Sequence, residues 1–222
     1  MREIVFDTET TGFDPESGDR IVEIGAIELK GHVPTGNVFH EYIDPERDMP
    51  QGAFEVHGLS EEFLSGKPKF AEVAAKWWDF VGDAKLVAHN AEFDFKFMNA
   101  ELQWAGHPAM GPERMIDSLA IARKKFPGAR NSLDALCARY GVDNSAREKH
   151  GALLDSELLA EVYLELIGGR QPGFELAADG GGGEGATWRP MPRPRPLPPR
   201  ITEAEAAAHA AFVATLEGGG RW

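Results

Sequence analysis

The sequence predicts an α/β protein in which helices cover a mixed β-sheet. Three observations lead to this prediction: the chain begins with apolar, β-branched segments, strand-like and helix-like segments then alternate, and the composition changes after residue 168. Strands followed by a β-α-β-α alternation are typical of a mixed sheet with helices on its faces. With 42% hydrophobic residues, the 222-residue chain can build one sizeable core and carry an appendage.

Three strands are predicted before the first helical pattern. Glu3–Thr8 and Arg20–Leu29 are rich in β-branched and apolar residues, and Thr10–Gly18 between them is rich in turn-forming residues. Val38–Ile43 has the same strand-like composition. These three segments are the predicted strands that precede the first helix.

The alternating part begins at residue 70. Phe70–Val81 has apolar residues at helical spacing on one face. The short apolar run Lys85–His89 is followed by a predicted helix at Ala91–Trp104, and Arg114–Asp117 is a candidate strand. Further helices are predicted at Ser118–Lys125, Ser132–Tyr140 and Ala152–Ile167.

The sequence after residue 168 cannot build a core of its own. Residues 179–185 contain five glycines and residues 189–200 contain six prolines. The first stretch is expected to be flexible and the second extended. We therefore predict a domain at 1–168 and a linker at 169–200.

A short helix is predicted at the end of the chain. Thr202 and Glu205 form a capping-box pattern, and Ala208, Phe212 and Leu216 recur every four residues after it. A helix of this length is marginal in water without a partner. Residues 201–222 are therefore predicted to be a docking helix and tail.

The charge of the chain is strongly negative and unevenly distributed. The formal net charge is −13, and residues 170–222 carry six basic and six acidic side chains, so the excess lies in residues 1–169. An acidic domain repels a polyanion at long range, so it would need help to reach nucleic acid. The basic residues Arg123, Lys124, Lys125 and Arg130 are candidates for backbone contacts, although a solvated helix face is the commoner explanation.

The cellular compartment is expected to be the cytoplasm. The single cysteine, Cys137, excludes an internal disulfide and fits a reducing environment. The first residues contain no apolar export signal, and no run of about 18 apolar residues exists for a membrane span.

Asp7 and Glu9 stand two residues apart at the end of the first predicted strand. Residues at this spacing project to the same face, where two carboxylates repel each other. At ~4–5 Å and an effective dielectric near 20 this repulsion is roughly 3–4 kcal/mol. Such a pair favours a divalent cation, and oxygen ligands suit Mg²⁺ or Mn²⁺. Taken alone, the pattern is more often a pair of solvated acids on an edge strand.

Two later segments supply further candidates. Asp94 falls in the first turn of a predicted helix, where the positive end of the dipole favours a carboxylate. His150 precedes Gly151 in a predicted loop, and Asp155 lies on the helix after it. A histidine on a loop can turn toward such acids and accept a proton from a metal-bound water. Taken singly, Asp94 is explained by dipole compensation and His150 by a surface position.

The acids and the histidine together match the ligands and base that two-metal phosphodiester hydrolysis requires. Phe6–Gly12, His89–Asp94 and His150–Asp155 resemble the three signature motifs of the DEDDh (DnaQ-like) exonucleases. Within that family, the chain resembles the epsilon proofreading group of bacterial DNA polymerase III. The resemblance covers about residues 1–168 and implies a ribonuclease H-like fold, a mixed five-stranded sheet flanked by helices. It also implies 3′-5′ hydrolysis of DNA 3′ ends to nucleoside 5′-monophosphates.

The resemblance also implies a role for each site residue. Asp7, Glu9 and Asp155 would hold two divalent cations, Asp94 would support the second, and His150 would be the catalytic base. The segment Val56–Leu59 resembles the family's loop beside the terminal nucleotide. The expected substrate contacts are Asp7, Glu9, His57, Phe93 and Asp155. The alternatives are a turn histidine ahead of Gly58 for His57 and a core phenylalanine for Phe93.

The tail resembles two kinds of docking segment. Gln171, Phe174 and Leu176 fit the loose pattern of sliding-clamp-binding peptides, with ordinary linker sequence as the alternative. Residues 201–222 resemble the segment that binds the polymerase III catalytic (alpha) subunit in the replisome at the nucleoid. Such a tether raises the effective concentration of the domain near a 3′ end. The candidate anchors in that segment are Phe212, Leu216 and Trp222.

Two other functions fit parts of the sequence. The catalytic motifs also occur in stand-alone DEDDh nucleases that act on RNA, and for such an enzyme the linker and terminal helix would have no purpose. A non-catalytic subunit that only stabilises a polymerase would have no need for four clustered carboxylates.

Overall fold

A computed structural model describes residues 1–145, 147, 149–169 and 201–215 of the chain. Five strands form one mixed sheet in the order β3-β2-β1-β4-β5. Strands β1 to β3 are antiparallel neighbours, and β4 and β5 run parallel to β1. The strand bounds are Arg2–Thr10 (β1), Ile21–Lys30 (β2), Val33–Tyr42 (β3), Lys85–Ala88 (β4) and Met115–Asp117 (β5).

Seven helices accompany the sheet in the described part of residues 1–169, besides short 3₁₀ turns at Pro15–Ser17 and Pro112–Arg114. The predicted α/β architecture with a mixed five-stranded sheet is therefore confirmed. The helices are α1 (Gln51–His57), α2 (Glu61–Leu64), α3 (Phe70–Val81), α4 (Ala91–Trp104), α5 (Ser118–Lys125), α6 (Leu133–Tyr140) and α7 (Ala152–Leu166). The sequence analysis missed α1 and α2, whose seven and four residues are too few to display a helical period.

The alternation of side chains along β1 creates a core on each face of the sheet. Ile4 and Phe6 point to the face covered by α3 and α4, where the Phe6 ring lies 5.5 Å from the ring of Trp77. Val5 points to the opposite face and packs with apolar residues of α6 and α7 such as Leu159. Because strand side chains alternate, Asp7 and Glu9 fall on the α7 face of the sheet.

Close packing of α7 on β2 fixes the position of that helix. Gly25 lies opposite Asp7 in the β1–β2 pairing. A Cβ at Gly25 would lie 2.2 Å from the backbone carbon of Ala152, so only glycine permits this approach. The hydroxyl of Ser156 donates to the carbonyl oxygen of Gly25 at 2.8 Å, which holds the helix in place.

The terminal helix α8 (Glu203–Val213) belongs to a separate unit and is described by itself. Its capping box is present, because the Thr202 hydroxyl accepts from the Glu205 amide at 3.3 Å and the Glu205 carboxylate accepts from the Thr202 amide at 2.9 Å. None of the helices in the described residues combines the length and apolar character needed to cross a membrane.

Candidate active site

The five residues predicted to perform the chemistry line a single cavity of about 280 Å³. We call it the acid cavity. It lies at the end of β1, where the strand meets the starts of α4 and α7. Its titratable walls include Asp7, Glu9, Asp94, His150 and Asp155.

Asp155 reaches the acid cavity because α7 begins next to β1. Gly151 caps α7, and Asp155 is buried in the first helical turn. The close contact between α7 and Gly25 brings this turn over the part of the sheet that carries Asp7. His150 lies in the loop before the helix, as predicted, and its backbone amide donates to the carbonyl oxygen of Val56 at 3.3 Å.

Asp94 is tied to β1 by two hydrogen bonds. Its Oδ1 atom accepts from the Thr8 amide at 3.1 Å and from the Thr8 hydroxyl at 2.8 Å. The residue lies in the first turn of α4, as predicted, and it is buried. Dipole compensation alone does not account for this placement, since a carboxylate at an exposed helix start would not need a partner on a strand.

The acid cavity concentrates negative charge in a buried place. Burial, followed by repulsion from Asp94 and Glu9, raises the pKa of Asp7 well above its usual value. Burial, followed by repulsion from Asp155, raises the pKa of Glu9 to about 8. Burial raises the pKa of Asp94 to about 7, against the hydrogen bonds from Thr8.

These acids fit a divalent cation site. Glu9, His150 and Asp155 each offer a ligand atom, and these atoms lie within 4.8 Å of one another. Oxygen donors that repel each other in a buried site are the kind of ligand set that binds Mg²⁺ or Mn²⁺.

Residues 4–163 match the family model described as Exonuclease (RNase_T). The chain belongs to this exonuclease family. The prediction of an exonuclease related to epsilon subunits is confirmed by curated relatives. The chain is 54% identical to the DNA polymerase III subunit epsilon of Rickettsia felis over 179 residues, which are 79% of this chain and 78% of that protein. It is 50% identical to the same subunit of Escherichia coli K12 over 186 residues, which are 81% of this chain and 76% of that protein.

Solved structures of exonucleases share the fold of this family member. Exonuclease X in complex with 5′-overhanging duplex DNA superposes with a TM-score of 0.58 at 24% identity, over 74% of this chain and 90% of that chain. The nuclease domain of 3′hExo, a DEDDh family member bound to rAMP, gives a TM-score of 0.64 at 21% identity, over 75% and 91%. The predicted ribonuclease H-like fold is therefore confirmed.

Arg147 is a site residue of this exonuclease that the sequence analysis missed. Its Nε atom donates to Oδ1 of Asp155 at 2.6 Å, and its Nη2 atom donates to Oδ2 at 2.7 Å. Its Nη1 atom donates to Asp134 at 2.6 Å. Burial acts to raise the pKa of Asp155, but the adjacent His150 and Arg147 side chains outweigh it and lower that pKa. No motif surrounds Arg147, so its position three residues before His150 was the only available signal.

The same guanidinium determines how His150 is held. Nδ1 of His150 lies 2.7 Å from Nη2 of Arg147 and 3.3 Å from Oδ2 of Asp155. A guanidinium can only donate, so the shorter contact makes Nδ1 an acceptor, and the 3.3 Å contact to Asp155 is then not a hydrogen bond.

His57 and Phe93 line a second cavity of about 520 Å³, which adjoins the acid cavity through shared walls at Thr8, Glu9 and Phe93. His57 ends α1 and is only 6% exposed, and its Nδ1 atom accepts from the Leu59 amide at 3.0 Å. Burial lowers the pKa of His57. Phe13, which is 88% exposed, also lines this second cavity.

Most of the predicted docking residues lie outside the described part of the chain. Phe212 lies on α8 and is 62% exposed. The others are Gln171, Phe174, Leu176, Leu216 and Trp222.

Proposed function

We propose that the chain is a metal-dependent 3′-5′ exodeoxyribonuclease that proofreads for bacterial DNA polymerase III and releases nucleoside 5′-monophosphates. The observation that carries this proposal is the convergence of four carboxylates and His150 in one cavity beside a second, larger cavity. Membership in the exonuclease family and similarity to epsilon subunits support the reaction and its setting in the bacterial cytoplasm.

Asp7, Glu9 and Asp155 would hold two divalent cations, Mg²⁺ or Mn²⁺, and Asp94 would support the second. When bound, these cations supply charge for the scissile phosphate and acidify a water molecule. The protein contributes the placement of the carboxylates, since Thr8 fixes Asp94 and the Gly25 contact positions Asp155. The folded structure therefore keeps these carboxylates together in one buried site, although they repel each other.

His150 accepts the proton of the attacking water in this proposal. A general base needs a free lone pair, and Nδ1 of His150 accepts from Arg147 at 2.7 Å. The base therefore becomes available when Arg147 releases Nδ1 or when the ring turns on its loop. Half of the His150 side chain is exposed, so the ring has room to turn.

The second cavity would receive the terminal nucleotide. Its walls combine the aromatic rings of Phe13 and Phe93 with the buried imidazole of His57. Aromatic faces stack on any base, so such a site accepts all four nucleotides, as proofreading requires. Because this cavity shares a wall with the acid cavity, we expect the phosphodiester linkage on the 5′ side of the terminal nucleotide to lie next to the carboxylates.

Polymerase docking would come from the tail. The exposed Phe212 on α8 and the segment 201–222 would bind the catalytic alpha subunit, and residues 171–176 are a candidate clamp-binding peptide. Replacement of Phe212 by alanine is expected to weaken co-purification with the alpha subunit, while His209→Ala on the same helix serves as the control. Unchanged co-purification of the Phe212 variant would remove this residue from the interface.

The activity is tested with a 5′-labelled primer that carries a mispaired 3′ end. In Mg²⁺ or Mn²⁺ the protein should shorten the primer by single nucleotides, and a chelator should stop the reaction. Asp7→Asn should abolish it, whereas Asp79→Asn, which removes an exposed charge on α3, should leave it unchanged. An active Asp7→Asn variant would refute the proposal, and faster shortening of an RNA primer would favour the RNA nuclease alternative.

A further inference from the structure

A third opening adjoins the acid cavity. It has a volume of about 620 Å³ and shares His89, Asn90 and Ser132 with the acid cavity. Its other walls come from α5 and from the loop that leads to α6, including Arg123 and Asn131. We call this opening the side groove.

The acid cavity lies between the side groove and the second cavity. The side groove and the second cavity have no wall residue in common within the described ranges, whereas each shares walls with the acid cavity. If the terminal nucleotide occupies the second cavity and its linkage lies at the acids, the remaining strand continues toward the side groove.

Arg123 in the side groove is an exposed cation with no ion pair among the described residues. The carboxylate of Asp117, at the start of α5, has other partners, because its Oδ1 atom accepts from the amides of Asn90 and Leu119. Arginine binds phosphate with a planar, multidentate donor set. By contrast, several basic residues of this domain pair with acids: Arg2, Arg20, Arg47, Lys69, Lys76 and Lys96.

The loop that forms the groove is held in place from within. The side-chain amide of Asn131 donates to the carbonyl oxygens of Phe126 and Ala129 at 3.2 and 3.1 Å. Its oxygen accepts from Arg139 at 3.2 Å, and Arg139 also lies over the Phe126 ring. The groove is therefore built before any ligand arrives, which lowers the entropic cost of binding.

We propose that the side groove binds the strand upstream of the scissile bond, and that Arg123 contacts a backbone phosphate there. This inference rests on the proposed function. The domain as a whole is acidic and repels a polyanion. Arg123 lies beside the active site and pairs with no described acid, so it can offer a nucleic acid strand a favourable contact. Contacts to phosphate position a strand without reading its sequence, which suits an enzyme that removes any nucleotide.

The test compares substrates of different length. A dinucleotide has only the scissile phosphodiester, whereas a hexanucleotide also extends upstream. Arg123→Gln should raise KM for the hexanucleotide about five- to tenfold with little change in kcat, as expected for one charged hydrogen bond. KM for the dinucleotide should not change. The salt dependence of hexanucleotide binding should also weaken by about one unit of slope.

Lys30→Gln is the matched control. It removes the same charge from an exposed residue at the far end of β2, which forms no ion pair in the described part of the chain, and it should behave like the wild type. Equal effects of Arg123→Gln on both substrates, no effect on the hexanucleotide, or an equal effect of Lys30→Gln would overturn the inference. If the wild type hydrolyses neither substrate, the proposed function fails as well; if it hydrolyses both and Arg123→Gln changes nothing, only the side groove assignment fails.

Discussion

The guanidinium of Arg147 donates hydrogen bonds to both carboxylate oxygens of Asp155, at 2.6 and 2.7 Å. The Arg147 side chain is only 8% exposed, so this ion pair lies in a largely dry environment. Asp155 is one of the acids expected to hold a cation. The guanidinium therefore supplies positive charge to the acid cavity from the protein itself.

Replacing Arg147 by glutamine should destabilise the chelator-treated protein. Loss of one partner leaves the Asp155 carboxylate buried without its counter-charge, which typically costs about 3–5 kcal/mol. We expect a decrease of ~2–4 kcal/mol in the free energy of unfolding, measured by urea denaturation in EDTA. Millimolar Mg²⁺ should reduce the difference between the variant and the wild type. An unaltered free energy of unfolding in EDTA would show that the ion pair makes no net contribution.

The stability of the chelator-treated protein should fall as the pH rises from about 5 to 8. Asp7, Glu9 and Asp94 have raised pKa values in the folded protein, with Glu9 at about 8. In the unfolded chain such groups titrate near pH 4, so the folded state binds more protons in this window. The stability that these three groups contribute is fully present below the pKa that they have in the unfolded chain. It is lost as the pH rises through the pKa that they have in the folded protein. Asp155 has a lowered pKa, so its contribution is lost only under more acidic conditions.

Urea denaturation in EDTA at pH 5, 6, 7 and 8 measures this dependence. Glu9→Gln should flatten it, because the variant has one proton fewer to lose. The exposed variant Asp79→Asn should keep the slope of the wild type. Stability that rises across the same window would contradict the raised pKa values.

The helix and strand predictions show how far sequence patterns reach. The bounds predicted for α3, α4 and α5 agree with the structure, because amphipathic spacing and caps such as Gly82 define helices locally. Strand β3, by contrast, begins at Val33 rather than at the predicted Val38. Its first residues include Pro34 and Gly36, which look like a loop but are tolerated on an edge strand.

The site was predictable where chemistry follows a sequence spacing. Asp7 and Glu9 share a strand face, so the two-residue interval between them makes the pair a candidate, and the two later motifs distinguish it from a pair of solvated acids. Arg147 and Thr8 were not predictable, because their roles depend on partners that only the fold brings near, such as Asp94 at 86 positions from Thr8. The sequence correctly predicted Arg123 at the end of a helix. The side groove could not be predicted, because only the fold brings together the separate segments that form its walls.

The hydroxyl of Thr8 should matter for activity more than for stability. Thr8→Val keeps the shape of the side chain and removes the 2.8 Å hydrogen bond to Asp94. Loss of one such bond costs about 1 kcal/mol of stability. A residue that orients a metal-supporting carboxylate is typically worth about 10–100-fold in activity, so kcat should fall by that factor. Thr8→Ser should restore most of it, and wild-type kcat in Thr8→Val would exclude the orienting role.

Gly25 should tolerate no larger residue. Its added Cβ would lie 2.2 Å from the Ala152 backbone, so Gly25→Ala must push α7 away from the sheet. Overpacking of this kind costs about 1–3 kcal/mol or more, measurable as a lower midpoint of thermal unfolding. Primer hydrolysis should fall at a temperature where the variant is still folded, because Asp155 moves with the helix. Ser156→Ala, which removes only the 2.8 Å bond to Gly25, should have a milder effect on both measurements.

The docking of α7 on the sheet also has a consequence during protein synthesis. Asp7 and Glu9 leave the ribosome early, but α7 is the last helix of residues 1–169 to be made. Domains fold as their chain emerges from the ribosome. Asp155 therefore cannot join Asp7 and Glu9 in the acid cavity until nearly all of residues 1–169 have been translated. A nascent chain that stops short of this helix therefore lacks one of the four carboxylates of the acid cavity.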